Sequence, residues 1–177
     1  MRQPQRDAGQ GRRAHVSPQA GRGIDVRELN PGEVERVDAR LPLSRLDGAQ
    51  TYLVAWDGDE PIGHAHIAWA KTEVGVPEVQ DVFVLEERRG GGVATALMEH
   101  AERVAAGRGH RRLSIGYGVG NDAARRLYER LGYRDAGLEP RRVQGTITIR
   151  GRPVAVDDTL VYLVKDLAVD FEGRRSS

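Results

Sequence analysis

Arg88-Arg89-Gly90-Gly91-Gly92-Val93-Ala94-Thr95 follows a β-branched run, Glu78 to Leu85, and leads into Val93, Leu97, Ala101 and Val104 at helical spacing. The stretch reads as strand, glycine turn, helix, with Gly107 or Gly109 as the stop. Glycine lets the main chain turn sharply and lets a ligand approach without a Cβ in the way. The first turn of a helix leaves four amide N–H groups unpaired, and its dipole favours an anion there. Small Ala94 and Thr95 keep that end open. These features predict a phosphate or pyrophosphate cradle. A glycine turn without a ligand is the other reading of the same residues. A Walker A loop is excluded, because no lysine is present here. The dinucleotide spacing Gly-x-Gly-x-x-Gly also fails, both here and at Gly116 to Gly120.

Working outward, Ile24, Val26 and Leu29 mark a first strand, and Asn30-Pro31 opens a helix with Val34, Val37 and Leu41 at its spacing. Thr51 to Trp56 and Pro61 to Ala70 form two strands about the turn Asp57-Gly58-Asp59. After the glycine helix, Arg112 to Tyr117 is a short strand. Asn121 to Leu131 is a helix with Asn121 as its cap and Gly132 just past its end. Thr146 to Ile149 and Val154 to Val156 flank Arg150-Gly151-Arg152 as a hairpin, and Leu160 to Val164 is the last strand. The order predicts a mixed α/β sheet with helices on both faces.

The 177 residues suit one domain with tails. No cysteine is present, which removes a disulfide scaffold, a thiolate zinc site and a cysteine nucleophile. No apolar run reaches the length of a membrane span. A formal net charge of +1 gives no electrostatic case for nucleic acid. A soluble cytoplasmic protein, partnered by neither membrane nor nucleic acid, is therefore expected. Residues 1 to 23 carry five arginines and one acid with no apolar periodicity, so a disordered basic tail is expected there. Residues 168 to 177 read as a second tail. Residues 24 to 167 are the expected domain.

Two motifs carry a resemblance. Arg89-x-x-Gly92-x-Ala94 is similar to the first signature of the GCN5-related N-acetyltransferase (GNAT) superfamily. Twenty-six residues separate Ala94 from Asn121, which begins Asn121-x-x-Ala124-x-x-x-Tyr128-x-x-x-Gly132-Tyr133. That stretch resembles the second signature. Gly91, where a basic residue is common, and the long segment from about 139 to 157 depart from the pattern. The resemblance implies a mostly antiparallel sheet of six to seven strands whose central strands splay apart. It also implies acetyl-CoA as donor, no metal, and direct transfer to an amine of a small molecule. A protein N-terminal or lysine acetyltransferase and a non-catalytic acyl-CoA sensor remain as alternatives.

The resemblance also implies roles. Amides of Arg89, Gly90, Gly91, Gly92, Val93, Ala94 and Thr95 would hold the pyrophosphate. Val82, Phe83 and Val84 would pair with the pantetheine arm, Asn121 would contact that arm, and Tyr128 would protonate the departing thiolate. Glu78 and Asp81 are the candidates for general base. Strand alternation sends them to opposite faces unless a bulge intervenes. His64 and His66 share a strand face, with no third metal ligand evident. Arg150, Arg152, Asp157 and Asp158 of the hairpin are candidates for acceptor binding, and the family also uses this hairpin for homodimer contacts.

A chain beginning at Gly23 should keep its melting temperature and its turnover of a small acceptor, because the removed arginines lack an apolar partner pattern. A melting temperature several degrees lower would show that the segment packs on the domain.

Overall fold

The computed structural model describes residues 23–44, 50–149 and 152–168. Both expected tails and the hairpin tip Arg150-Gly151 lie outside the described residues. The strands are β1 (Asp25–Glu28), β2 (Gln50–Asp57), β3 (Glu60–Ala68), β4 (Glu78–Val84), β5 (Arg112–Gly118), β6 (Arg134–Asp135), β7 (Arg141–Ile149) and β8 (Arg152–Asp166). The helices are α1 (Val34–Asp38), α2 (Val93–Gly107) and α3 (Asp122–Arg130).

β1 to β4 form an antiparallel series. β4 and β5 then run parallel, and β8 pairs antiparallel with β5. β6 and β7 both lie on the edge of β8 away from β5, so the sheet is seven strands wide. The parallel pair holds register only at Glu78↔Ser114 and Val79↔Ile115. Beyond those residues the two strands separate, which is the expected splay.

Alternation along β2 divides the core. Leu53 and Ala55 join the cluster under α2 and α3, which includes Val79, Leu97, Met98, Ala101 and Tyr128. Tyr52, Val54 and Trp56 face the opposite side and pack with Val37, Leu41 and Leu43. Helices therefore cover both faces. α1 has only five residues, too few to persist alone in water. Burial of Val37 and Leu41, worth roughly 2 kcal/mol each, holds that segment down. Arg27 and Arg36 stack on Trp56, with guanidinium carbons 4.3 and 4.8 Å from the ring centre.

The structure departs from the sequence reading in several places. The first helix stops at Asp38, although Leu41 follows at helical spacing. Pro42 explains this, because it disfavours helical backbone at the residue before it. The segments expected as separate strands at 154–156 and 160–164 are one 15-residue strand, β8. Arg88 reaches Asp57 at 2.8 Å and Glu60 at 3.0 Å, and so ties the glycine turn to the β2–β3 turn.

His64 and His66 are both buried on β3. Burial lowers His64 from its ordinary 6.5 to about 4, because a charged imidazole there would lose its water. The unfolded chain binds this proton at higher pH than the folded one, so stability should fall as pH drops from 6.5 to 4. The loss should approach about 3 kcal/mol. His64→Leu should flatten that part of the pH dependence in thermal melts; an unchanged slope would assign the acid sensitivity to other groups.

Candidate active site

The splay of β4 and β5 is accompanied by two clefts, and β4 lines both. Residues 78–81 line one cleft and residues 82–84 line the other. The boundary is a β-bulge. His64 pairs with Phe83 and His66 with Gln80, so Asp81 and Val82 together face one residue of β3. Asp81 takes φ +52°, a left-handed backbone that a non-glycine residue adopts only at a cost.

The first cleft measures about 640 Å³. Its walls are Val82, Phe83 and Val84, the turn residues Arg88, Arg89, Gly90 and Gly92, the first turn Val93-Ala94-Thr95, and Asn121, Ala124, Leu127, Tyr128 and Arg130. Every residue expected to hold the cofactor lines this cleft except Gly91. Gly92 has φ +83°, and a Cβ placed on it would meet nothing within 4 Å. Glycine is thus required by the backbone there, and the space beside it is open. Gly91 has no such requirement, which accommodates the basic residue common at this position in similar sequences.

The two helix starts in this cleft differ. Asn121 Oδ1 accepts the amide of Ala124 at 3.1 Å, and Asp122 puts an acid in the first turn of α3. α2 has neither a side-chain cap nor an acid in its first turn. Its leading amides are therefore offered outward, where the helix dipole favours an anion. Arg88, Arg89 and Arg130 line the cleft and no acid does. These features fit the diphosphate of acetyl-CoA. Tyr128 is 5% exposed and meets Tyr133 edge-on at 6.3 Å. Burial pushes its phenol up to about 12, so the proton is retained at neutral pH.

The second cleft, about 460 Å³, lies under the β7–β8 hairpin. Glu73, Glu78, Asp81 and Lys71 give it a net acidic lining, and Val143, Ile147, Val156, Leu160 and Tyr162 give it an apolar wall. The bulge brings Glu78 and Asp81 into the same cleft, where unbroken alternation would have separated them. The structure does not place either carboxylate beside Tyr128; the three residues occupy the two clefts on either side of the bulge. Of the hairpin candidates, Asp157 pairs with Arg142 at 2.8 Å, Asp158 approaches Gly118, and none of Arg152, Asp157 and Asp158 lines the cleft. Lys71, Thr72 and Glu73 of the β3–β4 loop escaped the sequence reading, since nothing in a polar loop signals which cleft it borders. Among the described residues, no group of three His, Asp or Glu could hold a metal. No helix there is long and apolar enough to cross a membrane.

The sequence model described as the acetyltransferase (GNAT) family matches residues 24–133, more than half of the chain. The chain belongs to the GNAT acetyltransferase family. A curated relative, an uncharacterised N-acetyltransferase of Methanocaldococcus jannaschii, is 38% identical over 60 residues, 34% of this chain and 26% of that protein. The chain thus spans about a quarter of the length of that curated relative. Arabidopsis thaliana NAA60, solved in complex with a bisubstrate analogue, is 21% identical with a TM-score of 0.58, over 83% of this chain and 99% of that one. Spermidine N-acetyltransferase of Vibrio cholerae, solved with CoA and spermine, is 17% identical with a TM-score of 0.58, over 82% and 96%. These two likenesses establish the GNAT fold, and acetyl-CoA is the donor that this family uses.

Ala94→Glu tests the cradle without straining a glycine. Ala94 lies in the first turn of α2, where an acid favours the helix. The variant should therefore melt no lower than wild type and bind acetyl-CoA at least tenfold more weakly by calorimetry. Unchanged affinity would place the diphosphate elsewhere.

Proposed function

We propose that the protein moves the acetyl group of acetyl-CoA to a primary amine of a small molecule by direct attack. The observation that carries this reading is the charge split between the clefts. One is lined by Arg89 and Arg130 without an acid, with Arg88 beside them turned to Asp57 and Glu60, and the other by Glu73, Glu78 and Asp81 against Lys71. The first suits an anionic donor and the second an ammonium. The acceptor cleft has a volume typical of small-ligand sites. An ion pair from Arg141 to Glu73 spans from the hairpin to the β3–β4 loop beside it, which favours a small acceptor over a long polypeptide.

Acetyl-CoA supplies the thioester to be attacked. The amides at the start of α2 hold its diphosphate, with Asn121 beside the arm. Leu85 N–H bonds to Ile62 of β3, so by alternation Val82 and Val84 turn their backbone groups toward the splay. Their N–H groups are suited to an oxyanion, where fixed donors stabilise developing charge better than mobile water does. Glu78, 5% exposed, takes the proton that the ammonium must lose. It is preferred over Asp81, whose side chain is 37% exposed. Tyr128 donates its hydroxyl proton toward the leaving sulfur.

The test is CoA thiol release with a panel of amphipathic primary amines and a matched panel of peptides. Turnover of the amines supports the reading. Turnover of peptides alone would make the protein a polypeptide acetyltransferase. Binding of acetyl-CoA with no thiol release from any acceptor would make it a sensor.

Tyr128→Phe keeps the ring, so stability and acetyl-CoA affinity should change little. Loss of the hydroxyl should lower kcat by a factor on the order of 10² to 10⁴. With its phenol raised to about 12, Tyr128 should add no alkaline limb to the kcat profile below pH 10. A kcat loss under about threefold, with chemistry rate-limiting, would reduce Tyr128 to a packing residue.

A further inference from the structure

A side-chain hydrogen-bond chain runs behind the acceptor cleft from His66 to Glu78, with Asp81 and Ser44 beside the ring. Ser44 Oγ donates to Asp81 Oδ2 at 2.9 Å. The same carboxylate oxygen lies 3.6 Å from His66 Nδ1. His66 Nε2 meets Gln80 Oε1 at 3.1 Å, and Gln80 Nε2 donates to Glu78 Oε1 at 2.8 Å. The bulge makes this possible. It sets Gln80 directly across from His66 and turns Asp81 toward the same ring.

We propose that His66 is a positioning residue for acetyl transfer: through Gln80 it holds the Glu78 carboxylate in the orientation and charge state of a base. The inference rests on the reading of Glu78 as the base. An ionised carboxylate only accepts hydrogen bonds, so Gln80 must turn its NH₂ toward Glu78. Its carbonyl then faces His66, which must supply an N–H from Nε2. The charge on Glu78 thereby fixes the proton position on a ring that no solvent reaches. Asp81, held by Ser44, lies 3.6 Å from the other ring nitrogen, beyond hydrogen-bond distance.

Among the described residues, these titratable groups face the chain. Tyr52 of β2 packs on the His66 ring at 5.0 Å, and His64 of β3 lies beside it. His64 stays neutral down to about pH 4, below the pH range of the test. Glu78 also faces Tyr162 of β8, and shares the cleft with Lys71, Glu73 and Asp81. A donor to a carboxylate favours its charged form. Cutting the chain therefore makes Glu78 protonate more readily.

Two variants cut it. His66→Leu removes the ring nitrogens, and Gln80→Leu acts at the cleft surface without disturbing the buried ring. Both should move the acid limb of kcat/KM upward by about one pH unit and lower kcat about tenfold, with acetyl-CoA affinity within twofold of wild type. In the unliganded protein, nitrogen-detected NMR should show His66 protonated at Nε2, with a slowly exchanging proton that becomes fast in Gln80→Leu. Glu78→Gln should abolish the acid limb. If Glu78→Gln abolishes the limb while Gln80→Leu leaves it in place, the role of His66 is overturned and Glu78 stands as the base. If Glu78→Gln keeps the wild-type limb, the base assignment is overturned, and the role of His66 with it. A His66 ring with no proton on Nε2 overturns the hydrogen-bond order itself, whatever the kinetics show.

Discussion

Ser114 holds the two halves of the sheet together at one point. Its amide and its hydroxyl both donate to the carbonyl of Pro77, at 2.8 and 3.1 Å, in a place with no exposure to water. Burial makes the bond matter, because an unpaired carbonyl there would cost roughly 1 to 3 kcal/mol. The pin allows β4 and β5 to run parallel for two residue pairs and no further. A longer ladder would close the sheet and leave nothing to bind. A missing pin would separate the halves. Backbone groups of β4 beyond Val79 are consequently left without a strand on that side, and a ligand with amides of its own can complete them.

The bulge at Asp81 divides β4 between two chemical environments. Before it, Glu78 and Gln80 face the acidic cleft, and after it Val82 and Val84 join the core beside α2. One strand thus borders two clefts of opposite charge. The strained backbone at Asp81 is held by the bond from Ser44, which follows the short first helix and Pro42. A turn that looks peripheral in the chain therefore reaches into the site.

Much of the donor side was legible in the chain because its signals are local. Gly90 and Gly92 need positive φ, Asn121 caps a helix, and Tyr128 follows at a fixed helical interval, so each can be read from its own neighbours. The acceptor side depends on long-range register. No local feature announces that Asp81, an ordinary residue in a β-branched strand, will adopt a left-handed backbone, and without it Glu78 and Asp81 fall on opposite faces. β8 was read as two pieces because its first half is exposed on both faces. Alternation of apolar and polar residues, the usual mark of a strand, has nothing to act on there. β6 has two residues, too short for any periodic signal.

The single strand β8 has an evolutionary consequence. Its second half is locked into the core at Tyr162 and Leu163, while its first half forms, with β7, a ribbon whose side chains are largely exposed. Substitutions along that ribbon remove little buried surface and so cost little stability. Yet residues 143–147 and Val156 line the acceptor cleft. Mutational drift can therefore remodel what the cleft accepts while selection on folding hardly registers the change. The donor machinery, built on core strands and helix starts, has no comparable freedom. One covalent strand joins a tightly packed half to an exposed jaw, and the jaw can change its shape without the packed half being rebuilt.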